Sequence, residues 1–227
     1  GSITSTLSAN TTAGFSIVSY TGNGSNATIG HGLGVTPKTI IVKKRNTSAA
    51  WFVNHGSLSA TQNVYLNDTA SVQSDNVFAS RGTSTFGITS STGINNSGDT
   101  FIAYCFADVK GYSKFGSYTG NGDANGTFCF TGFKPAFVMV KNINSGVQGW
   151  LMFDDKRSTF NVANKFMVAN LSQAEASTST HTMDFLSNGF KIRGTDGGVN
   201  GSGNILIYMA FAESPFVGSN FVPNNAR

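Results

Sequence analysis

The residues of this chain that could perform acid–base chemistry are its carboxylates, and there are few of them. Asp and Glu together number 11, and Asp154 and Asp155 stand side by side after the apolar residues 150–153. Hydrolysis of a glycosidic bond needs two carboxyl groups that face each other across that bond, about 5 to 9.5 Å apart. Neighbouring residues of a strand point to opposite faces of the sheet. We therefore expect Asp154 and Asp155 to form a turn at a strand end rather than an acid pair.

Carboxylates that are distant in the sequence offer a second route to such a pair. Asp108 and Glu213 end two similar segments, 102–108 (IAYCFAD) and 207–213 (IYMAFAE). A repeated fold could bring equivalent residues together, but nothing else in the sequence supports a shared cleft. We expect each carboxylate to be solvated or to cap its own turn.

Motifs for nucleophilic, metal and phosphate chemistry are also missing. The sequence has no G-x-S-x-G elbow, and His31, His55 and His181 stand alone, without metal-ligand spacing. The glycine-rich stretches 116–126 and 194–198 do not lie between a strand and a helix, so they do not predict a phosphate-binding loop. We predict no catalytic residues, no resident metal and no cofactor.

Two loops leave calcium binding open as an alternative. Asp123 with Asn125, and Asp196 with Asn200, have spacings that could supply oxygen ligands to Ca²⁺. Asp, Asn and Gly also accumulate in loops because they form turns, and we favour that explanation.

The tryptophans raise the possibility of carbohydrate stacking. Trp51 and Trp150 lie at matching positions in the apolar segments 50–53 and 150–153. A core residue duplicated with its strand explains both of them better than a sugar platform. Ligand-binding residues therefore stay unknown at the level of sequence.

Charge and cysteine content narrow the classes of partner. The net charge is +4, and its densest cluster, at 43–45 (KKR), ends an apolar run; the other Lys and Arg are scattered, so we predict no nucleic-acid surface. The sequence contains no run of about 18 apolar residues, so it does not predict membrane insertion. Cys105 and Cys129 lie inside apolar stretches and are expected to be buried free thiols.

The chain repeats itself, and this repeat must position whatever site exists. Residues 19–24 (SYTGNG) recur intact as 117–122, and segments 39–42, 51–53 and 86–88 have counterparts in the same order. We predict a lead segment at 1–13, a first β repeat unit at 14–110 and a second at 111–227.

Short apolar and β-branched runs between Gly, Asn, Ser and Thr predict strands joined by tight turns. Strands are expected near 14–20, 37–44, 50–55, 62–66, 84–89, 100–107, 113–118, 126–131, 135–142, 149–154, 165–170, 182–193 and 204–212. Ser187, Asn188 and Gly189 indicate a two-residue hairpin, and 171–176 is the one stretch that reads as helical.

Two segments, 101–107 and 205–212, are apolar at successive positions rather than alternating. Strands that are covered on both sides have this pattern, so we predict that each is central in its half. The expected fold class is all-β: an internally duplicated antiparallel β-sandwich, jelly-roll-like, with two similar halves of about 100 residues packed together.

Several long motifs resemble a known group of proteins. The stretches GYSKFGSYTGNG, TGFKPAFVMVKN and DFLSNGFKIR are similar to a domain of uncharacterised marine bacteriophage tail-fibre-like and virion structural proteins. This resemblance covers essentially the whole chain. It implies a location in the virion and carries over no catalytic residues.

The resemblance favours a virion-surface attachment module, tail-fibre-like or head-fibre-like, that binds host-surface glycans or other virion proteins and forms homo-oligomers. A purely structural decoration or assembly domain is the alternative. A polysaccharide depolymerase is a weaker alternative, because the sequence shows no acid pair.

Overall fold

The computed structural model describes residues 1–213, and these form two compact units. The first unit consists of Gly1–Asn67 and Val72–Asp108, and the second of Asp68–Ser71 and the described residues from 109 to 213. Each unit is built almost entirely from antiparallel strands. The described part of the chain contains only two four-residue helices, and neither is long or apolar enough to cross a membrane.

The first unit contains a six-stranded and a three-stranded sheet. Its elements are β1 (Ser5–Asn10), β2 (Phe15–Thr21), β3 (Ala27–Gly30), β4 (Thr39–Lys44), β5 (Trp51–His55), β6 (Val64–Tyr65), β7 (Phe78–Arg81), β8 (Thr85–Ile88), α1 (Thr92–Asn95) and β9 (Thr100–Phe106). The large sheet has the order β1-β2-β9-β4-β5-β6, and the small sheet has the order β3-β8-β7.

The second unit repeats this plan. Its elements are β10 (Ser113–Thr119), β11 (Phe128–Phe130), β12 (Phe137–Asn142), β13 (Trp150–Asp154), β14 (Lys165–Val168), β15 (Ala176–Ser177), β16 (Met183–Leu186), β17 (Gly189–Ile192), α2 (Gly197–Asn200) and β18 (Ile205–Phe211). The large sheet has the order β10-β18-β12-β13-β14-β15, and the small sheet has the order β11-β17-β16.

The two strand orders are the same once equivalent strands are matched. The order β2-β9-β4-β5-β6 corresponds to β10-β18-β12-β13-β14, and β3-β8-β7 corresponds to β11-β17-β16. The all-β, internally duplicated architecture expected from the repeat is therefore confirmed. Strand β1 has no counterpart beside β10 in the described residues, and β15 has none beside β6.

The core of each unit lies between its large and small sheets. In the first unit Val18, Ile40 and Ala103 of the large sheet pack in one cluster with Ile29 and Phe86 of the small sheet. The cluster of the second unit has the same composition by layer, with Val138 and Leu206 against Phe190 and Ile192. Apolar burial between two sheets is the term that stabilises each half.

The two segments predicted to be central are central. Strand β9 lies between β2 and β4, and β18 lies between β10 and β12. Burial differs between them: in β9, Phe101, Ala103 and Cys105 are fully buried while the alternate residues are only half-buried, whereas β18 is buried at successive positions from Leu206 to Ala210. The expectation of cover on both faces therefore holds better for β18 than for β9.

The structure bears on three local expectations. Part of the 1–13 lead segment forms β1, which pairs with β2 along its whole length. The stretch 171–176 is not helical, since Leu171 closes a turn onto Val168 and Ala176 begins β15; one potential turn of helix cannot outweigh backbone pairing at a sheet edge. The hairpin at Asn188 is confirmed, with β16 and β17 paired directly.

Candidate functional site

The exact repeat of 19–24 in 117–122 has a structural explanation. Tyr20 donates its hydroxyl hydrogen to the carbonyl of Ile94 at 2.7 Å. Asn95, which is fully buried at the end of α1, donates from Nδ2 to the carbonyls of Ser25 at 2.6 Å and Thr89 at 2.9 Å. The motif therefore ties the β2–β3 turn to the turn before β9.

The second copy reproduces these bonds. Tyr118 donates to the carbonyl of Val199 at 2.6 Å, and the buried Asn200 donates from Nδ2 to the carbonyls of Asp123 and Gly194, both at 2.8 Å. Buried backbone carbonyls need such partners, so the repeated motif supports the fold.

The side chains considered as calcium ligands are likewise engaged in turns. Asp123 accepts from the backbone N–H of Asn125 at 2.6 Å. Asp196 caps α2 by accepting from the N–H of Gly198 at 2.7 Å, and its Oδ1 also lies 3.0 Å from Nε2 of His181. The described residues contain no group of three or more His, Cys, Asp or Glu placed to hold a metal ion.

The two tryptophans are packed in their sheets. Trp150 is 1% exposed, so no sugar ring can stack on it. Trp51 is half-buried, lies parallel to the ring of Tyr104 at 6.5 Å and has the ammonium of Lys43 6.0 Å from its centroid. Strand packing therefore accounts for their matching positions.

The basic cluster 43–45 is partly neutralised by local contacts. Lys43 donates to the carbonyl of Ala49 at 2.8 Å, and Lys44 forms an ion pair with Asp99 at 2.9 Å. The hydrogen bond from Lys44, aided by those from Asn46 and Asn96, lowers the pKa of Asp99 to about 2.

Both cysteines are free and buried, as the sequence predicts. Burial raises the pKa of Cys105 and that of Cys129 to about 12. Each thiol is therefore protonated at neutral pH, which makes it a poor nucleophile.

Asp154 forms the turn that the sequence predicts. Its Oδ1 accepts from the backbone N–H of Lys156 at 3.1 Å and of Arg157 at 2.6 Å, and its Oδ2 lies 3.0 Å from Nε of Arg157. Arg157 also contacts Glu175 at 3.3 Å. The Asp154 carboxylate therefore stabilises its own turn and is not available for acid–base chemistry.

Asp155 differs from Asp154, because its carboxylate does not accept hydrogen bonds from the backbone N–H groups of the turn. Its backbone N–H donates to the carbonyl of Ala136 at 3.0 Å. Its Oδ1 is buried and has no hydrogen-bond partner among residues 1–213, although it forms a long ion pair with the ammonium of Lys156 at 3.8 Å. Asp155 is the residue of the adjacent pair that could meet a ligand.

Asp155 lines an open pocket in the second unit, which we call the β13–β14 pocket. Its cavity volume is about 160 Å³. Its walls come from the loop before β12, the loop after β13 and strand β16: Lys134, Asp155, Ser158, Thr159, Phe160, Asn161 and Phe185.

The pocket combines a carboxylate, an ammonium group, hydroxyls, an amide and two phenyl rings. Asn161 fixes the loop to β16, because its Nδ2 donates to the carbonyl of Phe185 at 3.0 Å and its Oδ1 accepts from the N–H of Phe185 at 2.9 Å. Phe185 is 6% exposed, whereas Phe160 is 83% exposed. The pocket therefore has one buried ring in its wall and one solvent-exposed ring.

In the first unit, Arg81 holds the loop at the equivalent place. Arg81 pairs with Phe86 in the small sheet just as Phe185 pairs with Phe190. Arg81 donates to Oδ1 of Asn54 and to the carbonyls of His55 and Leu58, both at 3.0 Å.

The neighbouring amide closes the same loop further. Asn54 donates from Nδ2 to the carbonyls of Ser59 at 3.2 Å, Ala60 at 3.3 Å and Gln62 at 2.6 Å. The loop after β5 is thus tied to its own strand. In the second unit, the position that matches Asn54 is occupied by Phe153, whose side chain has no amide that could hold the loop after β13.

Sequence reasoning examined Asp155 as half of an acid pair and did not find the pocket. The available signal was a break in the repeat: where the second copy has Asp155, strand register places Gly56 in the first. The exchange of Arg81 for Phe185 becomes visible only when the strands of the small sheets are aligned by their pairing.

Comparison with known proteins yields a family without a described activity. No curated protein and no solved structure matches the chain. A family model described as a domain of unknown function, DUF7483, matches residues 1–215. Since this match spans nearly the whole sequence, the chain belongs to the DUF7483 family.

Proposed function

We propose that this chain is a non-catalytic attachment module on the surface of a bacteriophage virion, and that it binds host-surface glycan through the β13–β14 pocket. The observation that carries the proposal is the difference between the repeats. The same loop is closed by Arg81 in the first unit and lined by Phe185 and Asp155 in the second. A duplicated scaffold that keeps its core and changes one loop is suited to presenting a binding site.

The charged groups favour binding over turnover. Asp154 pairs with Arg157, Asp184 contacts Arg193 at 2.6 Å, and Glu213 contacts Lys156 at 2.7 Å. Glycosidases need a second carboxyl group opposite the first, and Asp155 is the only carboxylate among the residues that line the pocket.

The virion location is proposed from the resemblance of the long motifs to marine phage structural proteins. A compact all-β body with polar turns suits an exposed position, where loops contact the ligand and other faces contact neighbouring virion proteins. We propose that the module is a homo-oligomer in the particle and uses no nucleic-acid partner.

The proposal is tested by applying the purified full-length chain to an array of bacterial surface polysaccharides. We expect selective binding, and we expect the soluble chain to compete with adsorption of the phage that encodes it. The bound polysaccharides are then incubated with the chain and assayed for new reducing ends, which we expect not to appear.

Each alternative has its own outcome. Absence of both glycan binding and competition for adsorption would contradict the proposal and favour a structural decoration domain. A rise in reducing ends that the wild-type chain produces and an Asp155→Asn variant does not produce would instead identify a depolymerase.

A further inference from the structure

We infer that the β13–β14 pocket takes one uncharged sugar residue, whose hydroxyl groups donate hydrogen bonds to the Asp155 carboxylate. This inference rests on the proposed function, and it adds the chemical class of the ligand and the orientation in which the ligand is bound.

The size of the pocket limits the ligand to a small unit. Its cavity volume, about 160 Å³, lies below the range of about 300–1,000 Å³ that is typical for small-molecule sites. A pocket of this size accepts a terminal residue or a side branch of a glycan. An extended chain of several sugars needs a groove.

The Asp155 carboxylate lacks a hydrogen-bond donor, and a sugar hydroxyl can supply one. Its buried Oδ1 has no hydrogen-bond donor in the described part of the chain and only a 3.8 Å ion pair with Lys156, while the side chain as a whole remains 19% exposed. A carboxylate is an acceptor only, and rotation about its Cβ–Cγ bond lets either oxygen meet a donor. Hydroxyl groups of a ligand can therefore complete its hydrogen bonding.

The charges around the pocket are balanced, which disfavours a charged ligand. Lys156 pairs with Glu213, and the hydrogen bond from Lys156, together with the charges of Lys156 and Lys134, lowers the pKa of Glu213. An acidic sugar would bring a second carboxylate towards Asp155. Lys156 also forms a 3.8 Å ion pair with Asp155, so the ammonium of an amino sugar would meet a carboxylate that is already paired and would approach Lys134 and Lys156.

The two phenyl rings suit the apolar face of a sugar. Phe185, which is 6% exposed, forms part of the wall, and the exposed Phe160 stands in the loop that lines the pocket. Covering an exposed ring with the C–H groups of a sugar removes apolar surface from water. The hydroxyl groups then remain for Asp155, Ser158 and Asn161.

The test uses the full-length chain and a panel of methyl glycosides observed by ligand-detected NMR and titrated for affinity. Each sugar is supplied in its neutral form, as the uronic acid and as the amino sugar. We expect a neutral member to bind and the charged forms of that sugar to bind at least tenfold more weakly.

Three variants locate the binding. Asp155→Asn and Phe160→Ala are each expected to weaken the neutral sugar by tenfold or more. Phe185→Arg places in the second unit the side chain that closes the first, and it is expected to abolish binding. Phe130→Ala, which removes an exposed ring outside the pocket, is the matched control and should bind as the wild type does.

The outcomes separate this inference from the proposed function. Glycan binding on the array that persists in Asp155→Asn and Phe160→Ala would refute the pocket while leaving the attachment function standing. Tighter binding of the uronic acid or the amino sugar would refute the uncharged class. Loss of array binding and of adsorption competition in the wild type would refute both. Asp155→Asn and Phe160→Ala keep the test decisive if Phe185→Arg does not fold.

Discussion

Asn95 and Asn23 exchange hydrogen bonds across the end of the first repeat. The backbone N–H of Asn23 donates to Oδ1 of Asn95 at 3.0 Å, and Nδ2 of Asn95 lies 3.3 Å from Oδ1 of Asn23. Asn200 and Asn121 are bonded in the same way in the second repeat, at 2.9 Å and 3.1 Å. Two residues that are far apart in the sequence thus close each sandwich at one end.

Replacing the buried member of this pair should be costly. In Asn200→Ala the carbonyls of Asp123 and of the buried Gly194 lose their donor, and the backbone N–H of Asn121 loses its acceptor. Each unsatisfied group costs about 1–3 kcal/mol, so we expect the free energy of unfolding to fall by about 3 kcal/mol. Urea denaturation measures the change. The exposed Asn164→Ala is the control, and an equal loss in both variants would contradict a special role for Asn200.

The first glycine of the repeated motif, Gly120, should also not tolerate substitution, for a steric reason. A Cβ on Gly120 would lie 2.4 Å from the carbonyl oxygen of Gly201, whereas a Cβ on Gly146 would have no atom within 4 Å. We expect Gly120→Ala to destabilise the chain by about 2 kcal/mol or more, since backbone must move. Gly146→Ala is expected to change thermal stability by less than about 0.5 kcal/mol. Equal melting temperatures for the two variants would contradict this reading of the motif.

The repeat made the overall architecture predictable from the sequence. Strands with long apolar runs, such as 39–42 and 101–107, were placed well because their pattern depends on local composition. Strands β1, β3 and β7 were not expected. They are polar or short, and they form because a neighbouring strand supplies hydrogen bonds.

The pocket was not predictable for a different reason. It depends on the match between Arg81 and Phe185, and that match follows from strand pairing rather than from sequence similarity. Asp155 was noticed only because it adjoins Asp154. Its unpaired oxygen results from the fold around it, which no local pattern encodes.

His31 should make the stability of the chain depend on pH. It is fully buried; its Nδ1 accepts from the N–H of Leu33 at 3.3 Å, so Nε2 carries the hydrogen and lies 3.1 Å from the carbonyl of Gly82. Burial lowers the pKa of His31 below its ordinary value. The unfolded chain therefore takes up a proton at a higher pH than the native chain does.

The sign follows from that difference. The contribution of His31 to stability is complete above the ordinary histidine pKa of about 6.5 and decreases as the pH falls below it. We expect wild type to lose more stability between pH 7 and pH 5 than His31→Gln does. Denaturation at both pH values measures this, and parallel losses in the two proteins would show that His31 does not titrate differently on folding.

The central strand β9 should not tolerate a charge. Cys105 is fully buried among apolar neighbours, so Cys105→Asp would place an unpaired carboxylate in the core at a cost of several kcal/mol. Val147→Asp, at a position that is 78% exposed, is the control. Thiol titration of the wild type should find two reactive groups after unfolding and slow labelling before it. Melting of Cys105→Asp within a few degrees of the wild type would contradict the central placement.

The last prediction concerns the residue that closes the loop of the first repeat. Arg81 donates to Asn54 and to two backbone carbonyls, so Arg81→Phe should not open a usable pocket there. The polar groups that remain would lose their donors, and we expect the free energy of unfolding to fall by about 2–4 kcal/mol.

A double-mutant cycle with Asn54→Ala measures how far these losses are shared. Because the two side chains contact each other, the double variant should lose less than the sum of the single losses, by about 1 kcal/mol or more. Strict additivity would mean that Arg81 does not act through Asn54. Binding of the neutral sugar in the second unit should be unaffected by either substitution, since Arg81 and Asn54 do not line the β13–β14 pocket.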